Sequence, residues 1–164
     1  MEKSHPLSEN VYSLIHELLV PLKTIVGAHS ILITNVPHIP QPIEEPLVRL
    51  GQISNKLHTE IMTLFRDPSK RVNLQSAEIA SEQIRLIASE WGNDGKKLSQ
   101  LVSQIKAANV HLEEESLNTI LNEVLANGLE KFNRIVSYLE ITQAKHLTLN
   151  NGFFDVLQVK REDT

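Results

Sequence analysis

Trp91-Gly92-Asn93-Asp94-Gly95-Lys96-Lys97-Leu98 decides how the middle of this 164-residue chain is read. Two glycines three residues apart, enclosing Asn and Asp, offer the backbone freedom and short polar side chains that turns use, so Gly92 to Gly95 is expected to be a turn. A helix from Ser76 to about Glu90 runs into it, and Trp91 should cap the core at that helix end. Leu98 to Ile105 then leaves as a strand, on the partial alternation of Leu98, Val102 and Ile105. Val72 to Leu74 reads as a short strand before this unit. A helix from about Glu113 to Phe132 follows it, its acidic start suiting the positive end of the helix dipole. Leu139–Thr142, His146–Leu149 and Phe153–Val159 read as strands, the last two joined by the hairpin signal Asn150-Asn151-Gly152. The second half is therefore expected to be a small α/β sandwich.

The first half has a different texture. From Ser8, a candidate N-cap, to about Thr34, apolar residues recur at Val11, Leu14, Ile15, Leu18, Leu22, Ile25, Val26, Ile31 and Leu32, which is helical spacing. Pro37, Pro40, Pro42 and Pro46 then crowd together, and their fixed φ and missing N–H groups mark a hairpin connection. Leu47, Leu50, Ile53, Leu57, Ile61 and Leu64 alternate spacings of three and four, the seam of a bundle helix, which Asp67-Pro68 closes. Two helices cannot cover both flanks of such stripes. The hairpin is accordingly expected to pair with a second copy as a homodimeric four-helix bundle.

Composition removes several classes. At 41% apolar and 22% charged the chain belongs with ordinary globular proteins rather than disordered ones. With no Cys there is neither a disulfide framework nor a thiolate metal site, and the simplest location is the cytoplasm. A net charge of −4, with scattered Lys and Arg, gives no footprint for nucleic acid. Consecutive apolar runs are short, so no membrane insertion is expected, and Met1 to Asn10 has no apolar core of a signal peptide. The seven histidines contain no His-Glu-x-x-His pattern, so no metal site is expected. His29 falls on the first apolar stripe and should be a hydrogen-bonded interior residue, with His58 similar.

His16-Glu17-Leu18-Leu19-Val20-Pro21-Leu22 carries the one candidate for chemistry. At about 100° per residue His16 lies away from the stripe, toward Tyr12, Val20 and Lys23, and should face solvent. An exposed neutral imidazole is a competent nucleophile near neutral pH. Glu17 is placed to hold the ring N–H and take up its proton, and Pro21 should bend the helix just beyond. Tyr12, Leu19, Val20 and Lys23 form the candidate docking face for a protein partner.

This box resembles the phospho-acceptor segment of sensor histidine kinases, in which a dimeric helical hairpin carries the phosphorylated histidine. Leu50–Phe65 is similar to the second hairpin helix and Asp67–Leu74 to the linker into the ATPase domain. Asn118–Phe132 resembles the N-box helix, with Glu123 and Asn127 on one face. The resemblance implies an α+β fold: a hairpin of residues 1–70 that dimerises for histidine phosphotransfer, and a degenerate Bergerat-type sandwich over 71–164. The departures are informative. Leu19 and Val20 stand where the kinases carry basic and small polar residues, and Asn150-Asn151-Gly152-Phe153-Phe154 is a poor stand-in for the nucleotide-binding glycine box, so Glu123 and Asn127 are vestigial and no cofactor is expected to bind.

A truncated pattern of this kind is similar to bacterial phosphorelay phosphotransferases. The resemblance implies transfer of a phosphoryl group to or from response-regulator receiver aspartates through His16, the receiver bringing its own Mg²⁺. Two other readings stay open: a non-catalytic regulator that binds a kinase or receiver through the same face, and a kinase core truncated before its glycine boxes.

Overall fold

A computed structural model of the chain describes residues 9–73 and 75–144. Its elements are α1 (Glu9–Asn35), α2 (Gln41–Arg66), a 3₁₀ turn (Pro68–Lys70), α3 (Ala77–Ala108), α4 (Glu115–Thr119), a π-helical turn (Ile120–Val124) and α5 (Leu125–Ala144). Ile120 and Leu125 keep right-handed helical dihedrals, so α4, the π turn and α5 form one rod. Four rods result, and α1 and α3 each pack on both α2 and α5. The expectation of an α/β sandwich is overturned, because no strand occurs among the described residues. Leu98–Ile105 and Gly92–Gly95 lie inside α3, Leu139–Thr142 lies inside α5, and Val72 follows a 3₁₀ turn whose Pro68 carbonyl accepts its N–H at 2.9 Å. The strands expected at 146–149 and 153–159, with their Asn150–Gly152 turn, fall outside the described residues.

Antiparallel packing is fixed by named pairs. His29 faces Gly51 and Tyr12 stacks on Phe65 between α1 and α2. Between α2 and α3, Lys56 pairs with Asp94 at 3.2 Å and Trp91 donates its indole N–H to Glu60 at 3.3 Å. Between α3 and α5, Gly92 faces Glu140 and Asn133 donates to Ser99 at 3.2 Å. One core runs from Val11 to Leu139 across residue 70, with Trp91 and Phe132 fully buried within it. The flanks that the sequence assigned to a second copy are thus covered by α3 and α5 of the same chain. The four rods thus form a helical bundle within one chain.

Local chemistry explains the rod ends. Pro42 lies in the first turn of α2, where backbone N–H groups have no acceptor within the helix, so α2 begins at Gln41 rather than after Pro46. The Ser76 hydroxyl caps α3 by accepting the Ile79 N–H at 3.0 Å. Asn109, at φ 53°, ends it in the left-handed conformation that Asn tolerates. Buried Asn118 then pins the turn into the fourth rod, accepting from the Leu112 N–H at 2.7 Å and donating to the Leu112 carbonyl at 2.8 Å. By length and composition alone Val11–Asn35 could cross a bilayer, a property the short consecutive apolar runs concealed; in the bundle Leu14, Ile15, Leu18, Leu19, Leu22, Ile25 and Leu32 supply core, while Ile31 and Ile33 stay exposed.

Two glycines in the rods are required by close approach. A Cβ on Gly51 would overlap the His29 ring and sit 2.9 Å from Nδ1, and one on Gly95 would overlap Asn133 Oδ1. His29 is therefore held against the α2 backbone, with a hydrogen bond to the Leu47 backbone and a buried Nε2 that has no partner. Desolvation is the larger influence and lowers its pKa, the Leu47 bond opposing it.

Gly51→Ala should cost on the order of 1–3 kcal/mol through overpacking, read as a lower midpoint in denaturant. Adding His29→Ala should recover part of that loss, a coupling visible in the double-mutant cycle. The unfolded chain binds the His29 proton more tightly than the folded one. Stability from this group is accordingly complete above the unfolded value of about 6.5 and is lost as pH falls through the lower folded value. Melting temperature should drop between pH 7.5 and 5.5, with a shallower drop in His29→Leu.

Candidate functional site

The inner face of α1 is consumed by the core: Leu14, Ile15, Leu18, Leu19, Leu22 and Ile25 are all buried. His16, Val20 and Lys23 are exposed on the opposite side, four and three residues apart, and so form one ridge. Val20 is 59% exposed, an uncovered apolar side chain one turn from the imidazole. Glu17 is half-buried beside this ridge, and α1 runs as one helix through buried Pro21.

Leu19 does not belong to the docking face expected of it. It is 5% exposed and packs into the bundle, because α1 must cover two neighbouring rods and its apolar arc reaches that far round. Lys23 is two turns beyond His16, roughly 10 Å along the helix axis. Its charge is therefore set well away from any group on the ring.

Phe65, in the last turn of α2, completes the site and was not singled out from the sequence. Its ring stacks on Tyr12 at 4.7 Å and 17°, and lies 5.1 Å from the His16 ring at 37°. Tyr12 and Phe65 are both half-buried and packed against the core. His16 is thus level with the final turn of α2, toward one end of the bundle rather than at its middle.

Glu123 and Asn127 are exposed on the fourth rod, Glu123 within the π turn and Asn127 in α5. Among the described residues, the sandwich that would give them an N-box role is replaced by helix. Among the described residues no group of three or more His, Asp or Glu side chains converges as metal ligands do. Clefts of about 260, 340 and 380 Å³ lie between α2 and α3, beside the 36–40 connection, and between α3 and α5. None of these three is lined by Tyr12, His16, Val20 or Phe65.

No family model, curated protein or solved structure matches the chain.

The opposite environments of adjacent residues give a direct check. Leu19→Ala should destabilise the bundle by about 2–5 kcal/mol, whereas Val20→Ala should change its unfolding free energy by no more than about 0.5 kcal/mol. Chemical denaturation of the two variants side by side measures both.

Proposed function

We propose that this protein relays phosphoryl groups between receiver-domain aspartates through His16. The observation that carries the reading is an exposed imidazole on a helix packed into the bundle, set beside Tyr12, Phe65 and the uncovered Val20. In the forward step one ring nitrogen attacks the phosphorus of an aspartyl phosphate. The P–O bond to the receiver carboxylate breaks as the N–P bond forms, and the proton on the other ring nitrogen passes to Glu17 or water. Return of the phosphoryl group to a second receiver reverses each event. Because the receiver brings Mg²⁺ and its own carboxylate, the transferase has to supply only alignment.

A second reading uses the same face without chemistry, as a regulator that holds a kinase or receiver. Val20 favours it, since an apolar residue adds docking area where a polar one would assist hydrolysis.

Incubation with a panel of phosphorylated receivers separates the two. Relay predicts an acid-labile, base-stable phosphate on the protein that disappears in His16→Gln, a variant expected to unfold at the wild-type temperature because the side chain is exposed. Binding of a receiver with no label transferred from any member of the panel would instead select the regulator.

A further inference from the structure

We propose that Phe65 is a positioning residue for His16, an inference that rests on the relay reading. Exposed side chains on a helix are free to exchange rotamers, and a histidine facing water has no inherent reason to hold one ring direction. Here α2 supplies a reason. Tyr12 and His16 are one turn apart on α1, and the Phe65 ring from the neighbouring rod meets both, stacked on the first at 4.7 Å and tilted against the second at 5.1 Å.

The ledge is itself anchored. Tyr12 and Phe65 both pack against the core, and the chain beyond Phe65 is tied down by the Asp67 N–H donating to the Thr63 carbonyl at 2.9 Å. Pro68 is buried and its carbonyl accepts from Arg71 at 3.0 Å and Val72 at 2.9 Å, which fixes the end of α2. An aromatic face of this kind blocks one side of the imidazole sweep while leaving the ring's outer edge in water. Phe65 touches neither the phosphoryl group nor the receiver's aspartate; it acts through His16.

The magnitude follows from counting orientations. In a helix two staggered χ1 wells are readily open, and with two broad χ2 wells they give roughly four states, so selecting one raises the fraction of encounters with the ring correctly aimed by at most about fourfold. That gain belongs to the transfer step and not to docking affinity.

Phe65→Leu keeps apolar volume but removes the ring, and Phe65→Tyr restores it. In single-turnover transfer from a phosphorylated receiver, Phe65→Leu should lower the saturating rate about three- to fourfold with unchanged half-saturation, and Phe65→Tyr should return it to the wild-type rate. The NMR signals of the His16 ring, identified by their loss in His16→Gln, should lose an upfield ring-current shift in Phe65→Leu and regain it in Phe65→Tyr. A wild-type rate in Phe65→Leu, or a loss confined to half-saturation, overturns the proposal. Should no receiver label the wild-type protein, the relay reading fails on its own, and the ring-current comparison still decides whether Phe65 holds the imidazole: a shift that survives Phe65→Leu overturns the seat, and one that vanishes sustains it. A fall in melting temperature of more than a few degrees in Phe65→Leu shifts the rate comparison to Phe65→Met, for which the same loss is expected.

Discussion

Everything at the His16 ridge follows from α1 having to bury itself against two rods at once. Taking about 100° per residue from Leu18, its buried side chains cover roughly half the circumference, from Ala28 on one side to Leu19 on the other. His16, Val20 and Lys23 fall in the remaining half because no other direction is left. The histidine is aimed outward by its position relative to ten or so buried neighbours, so any change that rotates α1 would lose core packing before it could hide the ring. Leu19 and Tyr12 lie about 20° apart on this wheel, yet one is buried and the other borders the site. The boundary between core and surface is that narrow, and Phe65 stands on it.

Closure within one chain depends on α3, and α3 depends on positions that look like breaks. Gly in a helix interior is less favourable than Ala by about 1 kcal/mol, which is why Gly92-Asn93-Asp94-Gly95 reads locally as a turn. In the bundle the missing Cβ at Gly95 admits Asn133, and Gly92 faces Glu140, so α5 approaches closely along this stretch. Asp94 is buried but paired with Lys56, whose own pKa is raised chiefly by that hydrogen bond. Tertiary contact thus outweighs local preference at Gly92, Asp94 and Gly95. Trp91, fully buried with its N–H on Glu60, anchors the segment from the other side.

The first half of the fold was legible because its apolar spacing and its prolines agree, and both describe helices joined by a short connection. The second half is misread where partial alternation and a local turn signal stand in for strands. Leu98, Val102 and Ile105 are spaced four and three apart, as are Leu125, Leu129, Phe132, Val136 and Leu139; both sets are helical stripes, and both are buried. At the site, angular geometry found His16, Val20 and Lys23 on one helix, but a one-helix projection could not place a residue of α2. The signal for Phe65 was present in the hairpin itself. Tyr12 and Phe65 are nearly equidistant from His38 in the connection, so an antiparallel pair must bring them level, and Phe65 follows the seam residue Leu64 by one position, which turns it toward the outer edge.

Replacing the sandwich by helix also narrows what the chemistry needs. A relay through His16 draws nothing from α3 or α5 except a rigid backing for α1 and α2. A nucleophile carried on a packed helix is held more closely than one on a loop, and the aromatic seat from α2 extends that rigidity to the ring itself. Under the proposed relay, dehydration and charge neutralisation at the exposed ring would have to come from whatever covers it, which calls for a partner that brings its own metal and meets Val20 with apolar surface and Lys23 with acidic charge.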